Sequence, residues 1–118
     1  MPEIGRLAAD FAVTGQLRSE DLPDIAAQGF RTIINNRPDD EAPDQPPSAE
    51  LEAAANRLGL GYRHIPVRPG EMGARAAGEL ATALAELKKP VLAFCRSGSR
   101  SANLWMLLDP TGGRVAPK

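Results

Sequence analysis

Short apolar segments along the chain alternate with longer segments in which apolar residues recur every three or four positions. The short segments are bounded by glycine, proline or polar residues, which is typical of buried strands. The longer segments are typical of amphipathic helices. The pattern predicts strands near residues 11–13, 30–34, 62–67 and 90–94, helices over residues 20–28, 49–58 and 74–87, and a further helix after Cys95.

Small polar residues and glycines mark the ends of these predicted helices. Ser19 and Ser48 are the expected N-caps of the first two helices, and Gly29 and Gly59 follow their last turns. Two segments between elements fit neither period and are predicted loops. The first, residues 37–47, contains four acidic residues and four prolines, and the second covers residues 68–73.

The alternation of strands with helices predicts an α/β fold, with a small, mostly parallel sheet of about four strands and helices on both faces. Ligands of such folds bind beyond the carboxyl ends of the parallel strands. Both predicted loops and the segment that begins at Cys95 leave such ends. We therefore expect these three segments to meet at one site.

Composition narrows the class of protein further. A chain of 118 residues without internal repeats is expected to form one domain over residues 1–118, with a flexible tail over residues 110–118. The net charge of −1 and the 4% of aromatic residues argue against nucleic-acid binding, and no apolar run is long enough for a membrane span. The single cysteine and the absence of a signal peptide favour a cytoplasmic location.

The heptapeptide from Cys95 to Ser101 carries the candidate chemistry, because it joins a buried strand to a helix N-terminus that favours anions and thiolates. In this interpretation Cys95 is the nucleophile, and Arg100 offers a planar fork to two oxygens of an anion. Ser101 is expected to cap the helix and to donate its hydroxyl to the thiolate. Backbone N–H groups would bind the anion along the loop residues Arg96, Ser97, Gly98 and Ser99, where glycine permits the required backbone conformation.

The motifs of this chain resemble those of a known family, the phosphatase-like domain of beta-lactamase hydrolase-like proteins. Residues 94–105 carry the resemblance most clearly, and residues 13–16, 30–39 and 62–67 match in the same order, so that it extends over about residues 11–107. The resemblance implies a fold related to that of dual-specificity phosphatases. It also implies a possible redox or metallo-beta-lactamase-like partner domain, because members occur alone or fused to such domains, and some are described as sulfurtransferases.

Two features depart from the pattern of cysteine phosphatases. Four residues separate Cys95 from Arg100, where phosphatases have five, and this shorter loop resembles that of rhodanese-type sulfurtransferases. Phosphatases also place an aspartic general acid on the loop after the preceding strand, where this chain offers only Glu71. Asp39 and Asp40, with the neighbouring Glu41 and Asp44, lie on the other loop and could supply an acid or a rim contact.

Three hypotheses remain open from the sequence. The leading one is a sulfurtransferase that holds a persulfide on Cys95, since sulfur transfer needs no general acid. The second is a phosphatase with a phosphocysteine intermediate, and the third is a non-catalytic module that binds an anion or senses oxidants at Cys95. The expected substrate is a small anionic or sulfur-containing molecule. No cofactor is expected, and no metal, because no His, Cys, Asp and Glu set has ligand spacing.

Overall fold

The structure, a computed structural model, describes residues 2–68, 70–71 and 73–108. The described residues form five strands: β1 (Gly5–Ala8), β2 (Phe11–Thr14), β3 (Thr32–Asn35), β4 (Gly61–His64) and β5 (Val91–Phe94). They also form four helices: α1 (Leu22–Ala27), α2 (Ser48–Arg57), α3 (Ala74–Glu86) and α4 (Ser99–Leu108). The predicted tail over residues 110–118 lies outside the described residues.

The strands form one sheet in the order β1-β2-β5-β3-β4. β2, β5, β3 and β4 are mutually parallel, and only β1 runs antiparallel, at the edge beside β2. The predicted α/β class and mostly parallel sheet are confirmed, but the prediction of about four strands missed β1. Its sequence, Gly5-Arg6-Leu7-Ala8, has no β-branched residue and is largely exposed, so nothing local marks it as a strand.

The sheet separates two hydrophobic clusters, and the alternation of side chains along each strand decides which cluster a residue joins. In β5, Val91 and Ala93 pack in the cluster on the α3 and α4 side, whereas Leu92 and Phe94 pack in the cluster on the α1 and α2 side. A strand that is buried on both faces must be apolar at every position, which is why Val91–Phe94 shows no alternation in sequence.

The expected serine caps differ from the observed helix starts. Ser19 begins a 3-10 turn, Ser19–Asp21, before α1. Ser48 is already the first residue of α2, and its Oγ lies 2.8 Å from the Tyr62 hydroxyl oxygen, within hydrogen-bond distance. Asp39 takes the capping role, because its Oδ1 accepts a hydrogen bond from the Ser48 backbone N–H at 2.8 Å. A carboxylate from the loop that leads into α2 therefore satisfies one of the unpaired N–H groups at this helix N-terminus.

The carboxyl ends of β3 and β5 position the candidate site. Asn36 N–H donates to the carbonyl of Phe94 at 2.8 Å, so the segments that leave these two strands start side by side. The backbone after β4 joins them, because Val67 N–H donates to the Asn36 carbonyl at 2.9 Å. Among the helices that the structure describes, none is long and apolar enough to cross a membrane.

Candidate active site

The Cys95 loop, residues 95–98, connects β5 directly to α4. Cys95 is only 1% exposed, and its Sγ accepts a hydrogen bond from the Gly98 backbone N–H at 3.0 Å. The first turn of a ten-residue helix follows at Ser99, so unpaired N–H groups and the positive end of the helix dipole lie next to this sulfur. Both features stabilise negative charge on Sγ.

Two glycines allow the Cys95 loop to close against β2. Gly98 has φ +97°, and a Cβ at this position would lie 3.3 Å from the Thr14 carbonyl oxygen. A Cβ on Gly15 would lie 3.1 Å from the carbonyl oxygen of Arg96. The same strand end holds the loop through a 3.2 Å bond from Gln16 N–H to that carbonyl. The loop conformation is thus fixed by backbone contacts that side chains would obstruct.

Arg100 lies in the first turn of α4, where the sequence predicted an anion-binding guanidinium, but in the structure an internal carboxylate occupies its fork. Its Nη1 donates to Glu41 Oε2 at 2.7 Å and its Nη2 donates to Glu41 Oε1 at 2.8 Å. Nη1 also donates to the carbonyl of Val67 at 2.8 Å. Arg100 therefore connects α4 to the loop of residues 37–47 and to the backbone that follows β4.

Glu41 binds a second arginine as well. Arg37 is 5% exposed, and its Nε donates to Glu41 Oε1 at 2.9 Å while its Nη1 donates to Gln16 Oε1 at 2.8 Å. The hydrogen bonds from Arg100, aided by those from Arg37 and by both positive charges, lower the pKa of Glu41 to about 2 despite its partial burial. The same pair raises the pKa of Arg100. Glu41 is therefore a permanent carboxylate at neutral pH and cannot donate a proton.

Ser101 does not make the contact expected from the sequence. It lies inside the first turn of α4, so it does not cap this helix, and its Oγ donates to Asn36 Oδ1 at 2.8 Å. The amide of Asn36 in turn donates to the carbonyl of Ile65 at 2.9 Å. Among the described residues, the Ser101 hydroxyl donates to the Asn36 side chain, directly after β3, and not to Cys95 Sγ.

The candidate acids differ in their contacts and in their position relative to the site. Asp39 is engaged at the N-terminus of α2. Glu71 is exposed, and its Oε1 accepts a 3.4 Å bond from the Arg68 N–H within its own loop. Asp40 is exposed, with φ 67°, and lines a cleft of about 610 Å³ together with Arg68, Arg96 and Arg100. Asp39 and Glu41 line the same cleft, but Asp39 is bound to the Ser48 N–H and Glu41 to two arginines, whereas no side-chain hydrogen bond is described for Asp40.

Comparison with known proteins decides the family. A family model described as the phosphatase-like domain of beta-lactamase hydrolase-like protein matches residues 3–111, which include every strand and the Cys95 loop. The chain belongs to this family. The Beta-lactamase hydrolase-like protein of Agrobacterium fabrum is 34% identical over 110 residues, which are 93% of this chain and 26% of that protein. The chain thus spans about a quarter of the length of the curated relatives it matches.

Solved structures agree with this assignment to the beta-lactamase hydrolase-like phosphatase-like domains. A Neisseria meningitidis protein with a proposed phosphatase activity has 31% identity and a TM-score of 0.84, over 94% of this chain and 79% of its own. The core catalytic domain of a PP-IP phosphatase from S. cerevisiae has a TM-score of 0.67 at 16% identity, over 87% of this chain and 62% of its own. The second likeness shows the fold alone, which is that of cysteine phosphatases.

The other loop residues of this phosphatase-like domain lie at the surface of the site. Ser97 and Ser99 are exposed, and their Oγ atoms are 2.8 Å apart. Arg96 is exposed at the cleft, where the sequence predicted a rim charge. A second, mainly apolar groove of about 680 Å³, between β1, α3 and α4, includes no residue of the Cys95 loop. Two clefts do border this loop: the one beside Arg100, and one of about 620 Å³ that is lined by Thr14, Gly15 and residues 96–99. Of the two, the cleft beside Arg100 is the one that presents the predicted anion ligand.

Sequence reasoning missed the roles of two side chains. Glu41 was grouped with the acids that could donate a proton, and Arg37 was assigned no role at the site. The local signal was their spacing of four residues, which permits an ion pair. Their junction with Arg100, which is 59 residues from Glu41 along the chain, depends on the sheet topology. That part of the site could not be found from a local pattern.

Proposed function

We propose that this domain is a cysteine-dependent sulfurtransferase that carries a sulfane sulfur on Cys95. The observation that supports it is the 3.0 Å bond from Gly98 N–H to Cys95 Sγ inside a loop with only four residues between cysteine and arginine. A short loop that already directs a donor at one sulfur atom suits a sulfur anion, which needs fewer donors than the three oxygens of a phosphoryl group.

The first half-reaction is a nucleophilic displacement on sulfur. The Cys95 thiolate attacks the outer sulfur of a donor such as thiosulfate or an organic persulfide, and an S–S bond forms to Cys95. The bond between that sulfur and the rest of the donor breaks. Its electron pair leaves with the donor, as sulfite or as a thiolate. The persulfide on Cys95 then carries one negative charge next to the Gly98 N–H and the α4 N-terminus.

The second half-reaction returns Cys95 to its thiolate form. With cyanide as the acceptor, the carbon attacks the outer sulfur of the persulfide, and thiocyanate leaves while the electron pair of the S–S bond stays on Cys95. Neither half-reaction has an alkoxide leaving group that must be protonated. The positions of Asp39 and Glu71, each engaged elsewhere, are consistent with chemistry that uses no general acid.

A thiocyanate assay tests this proposal. The wild-type protein is expected to form thiocyanate from an alkyl persulfide plus cyanide, whereas Cys95→Ser should show only the uncatalysed background. Cys95 is the only cysteine in the chain, so no other thiol can account for turnover. Equal rates for the wild type and Cys95→Ser would contradict the proposal.

A second candidate function, phosphomonoester hydrolysis, is favoured by the family description and by the cysteine-phosphatase fold. In that case Cys95 would attack phosphorus and displace the alcohol, and water would then hydrolyse the resulting phosphocysteine. An aryl phosphate is the suitable substrate, because a phenolate leaves without an acid. Vanadate-sensitive hydrolysis that Cys95→Ser abolishes would favour this candidate over sulfur transfer.

A further inference from the structure

Glu41, Arg100 and Arg37 form a compact charge cluster beside the Cys95 loop. The two oxygens of Glu41 accept three hydrogen bonds from the two guanidinium groups, at 2.7 to 2.9 Å, and the carboxylate is 19% exposed. We propose that Glu41 is a specificity-determining residue that disfavours doubly charged tetrahedral anions at this site and so selects donors whose reacting end carries at most one negative charge. The inference rests on the proposed use of the Cys95 loop and Arg100 as the anion site.

The geometry of the Arg100 fork limits what a substrate can bind. A guanidinium has five N–H donors, and its paired Nη groups form the face that binds two oxygens of one anion. In Arg100 that face holds Glu41, and one further donor holds the Val67 carbonyl. An incoming anion would therefore find at most two N–H donors, and would lie next to a carboxylate.

Charge balance points in the same direction. Arg100 and Arg37 contribute two positive charges to the cluster, and Glu41 removes one of them. With Cys95 as a thiolate, the four groups together are neutral. A second negative charge on the ligand is then repelled by Glu41, and the other two arginines of the cleft, Arg68 and Arg96, are exposed, so that solvent screens their attraction. Phosphate monoesters and thiosulfate both carry that second charge at neutral pH.

Glu41 is held too firmly to act as a displaceable lid. To leave Arg100 it would also have to leave Arg37, which is almost fully buried and whose remaining described side-chain partner is the neutral Gln16. A buried guanidinium without a carboxylate is costly. The carboxylate is therefore a fixed part of the site.

Two tetrahedral oxyanions of similar shape but different charge separate this proposal from its alternatives. Isothermal titration calorimetry with tungstate, a dianion, and perrhenate, a monoanion, gives an affinity ratio for each variant. We expect the wild type to bind tungstate no more tightly than perrhenate. Glu41→Gln, which removes the charge and keeps the shape, should shift this ratio by about tenfold in favour of tungstate, equivalent to about 1.4 kcal/mol.

The chain offers a matched control for this change. Glu86 lies with Arg31, Gly61 and Lys88 near the amino ends of the strands, opposite the site, and makes a surface pair with Arg63. Glu86→Gln removes the same charge and should leave the ratio within about twofold of the wild type, because exposed charges are screened. Glu41→Asp keeps the charge and should retain the wild-type preference.

Several outcomes would overturn the proposal. A wild type that already binds tungstate about tenfold more tightly than perrhenate would contradict the proposal. This outcome needs no variant, so the test remains valid even if Glu41→Gln does not fold. An equal shift in Glu86→Gln, or a shift in Glu41→Asp as large as that in Glu41→Gln, would also contradict it. Binding is measured without turnover, so a protein that fails to transfer sulfur would still give an affinity ratio for the two anions. The proposed sulfur transfer and the proposed anion selection can therefore be contradicted separately.

Discussion

The Cys95 loop and the acidic loop, residues 37–47, meet at one site but are built in different ways. The Cys95 loop is made by backbone: a glycine N–H on Sγ, a positive φ at Gly98 and carbonyl contacts to the end of β2. The acidic loop acts through side chains, as Glu41 binds two guanidinium groups and Asp39 binds the N-terminus of α2. The first loop supplies the reacting atom, and the second sets the charge around it.

This difference decides which changes should affect chemistry and which should affect stability. A backbone-built anion site tolerates side-chain exchange but not the addition of a Cβ at a crowded glycine. A side-chain cluster responds to protonation and to single substitutions of its carboxylates.

The first prediction concerns Gly98→Ala, which should reduce sulfur transfer on the order of a hundredfold, as loss of one preorganised N–H donor does in other enzymes. The cause is the φ of +97° and the 3.3 Å approach of the new Cβ to the Thr14 carbonyl, which together move the N–H away from Sγ. The rate of thiocyanate formation measures the loss. Gly78→Ala in α3 is the control, because no atom lies within 4 Å of its Cβ, and its activity should match that of the wild type.

The second prediction concerns acid stability. Because folding lowers the pKa of Glu41 from 4.5 to about 2, its ion pairs stabilise the fold by about 1 to 2 kcal/mol once solvent screening is taken into account, and this contribution is complete above pH 4.5 and is lost as the pH falls toward 2. Denaturant unfolding at pH 6 and pH 3 measures the loss. Glu41→Gln should remove most of this pH dependence, and Glu86→Gln should keep it. An unchanged slope in Glu41→Gln would show that other carboxylates control acid unfolding.

The third prediction concerns Ser101→Ala, which should lower the free energy of unfolding by about 1 to 2 kcal/mol, since it leaves the buried Asn36 Oδ1 without its 2.8 Å donor. Thermal and urea unfolding measure the change. If stability is unchanged while sulfur transfer falls by about tenfold or more, the hydroxyl acts on Cys95, as the sequence suggested, and the contact with Asn36 is secondary.

The fourth prediction concerns Asp39→Ala, which should destabilise the protein by about 1 kcal/mol through loss of the acceptor for the first N–H of α2. Asp44→Ala is the control, because Asp44 is 85% exposed and its pair with Arg18 is 3.9 Å long, so it should change stability by less than about 0.5 kcal/mol. Equal effects of the two substitutions on urea unfolding would contradict the capping role.

The sequence was sufficient for the features that depend on local pattern. The apolar run of β5, the helix after the Cys95 loop and the glycine within that loop all lie where predicted, because strand burial and a positive φ leave local signatures. The exposed edge strand β1 leaves no such signature. The partners of Ser101 and Arg100 are 65 and 59 residues away along the chain, so their contacts follow only once the strand order is known.

Intact mass spectrometry after incubation with a persulfide donor, in parallel with Cys95→Ser, shows whether Cys95 carries sulfur. We expect the wild type alone to gain about 32 Da, one sulfur atom, and to lose it again on addition of cyanide. A wild type that gains no sulfur, or a Cys95→Ser variant that gains as much, would contradict the assignment of Cys95 as the sulfur carrier.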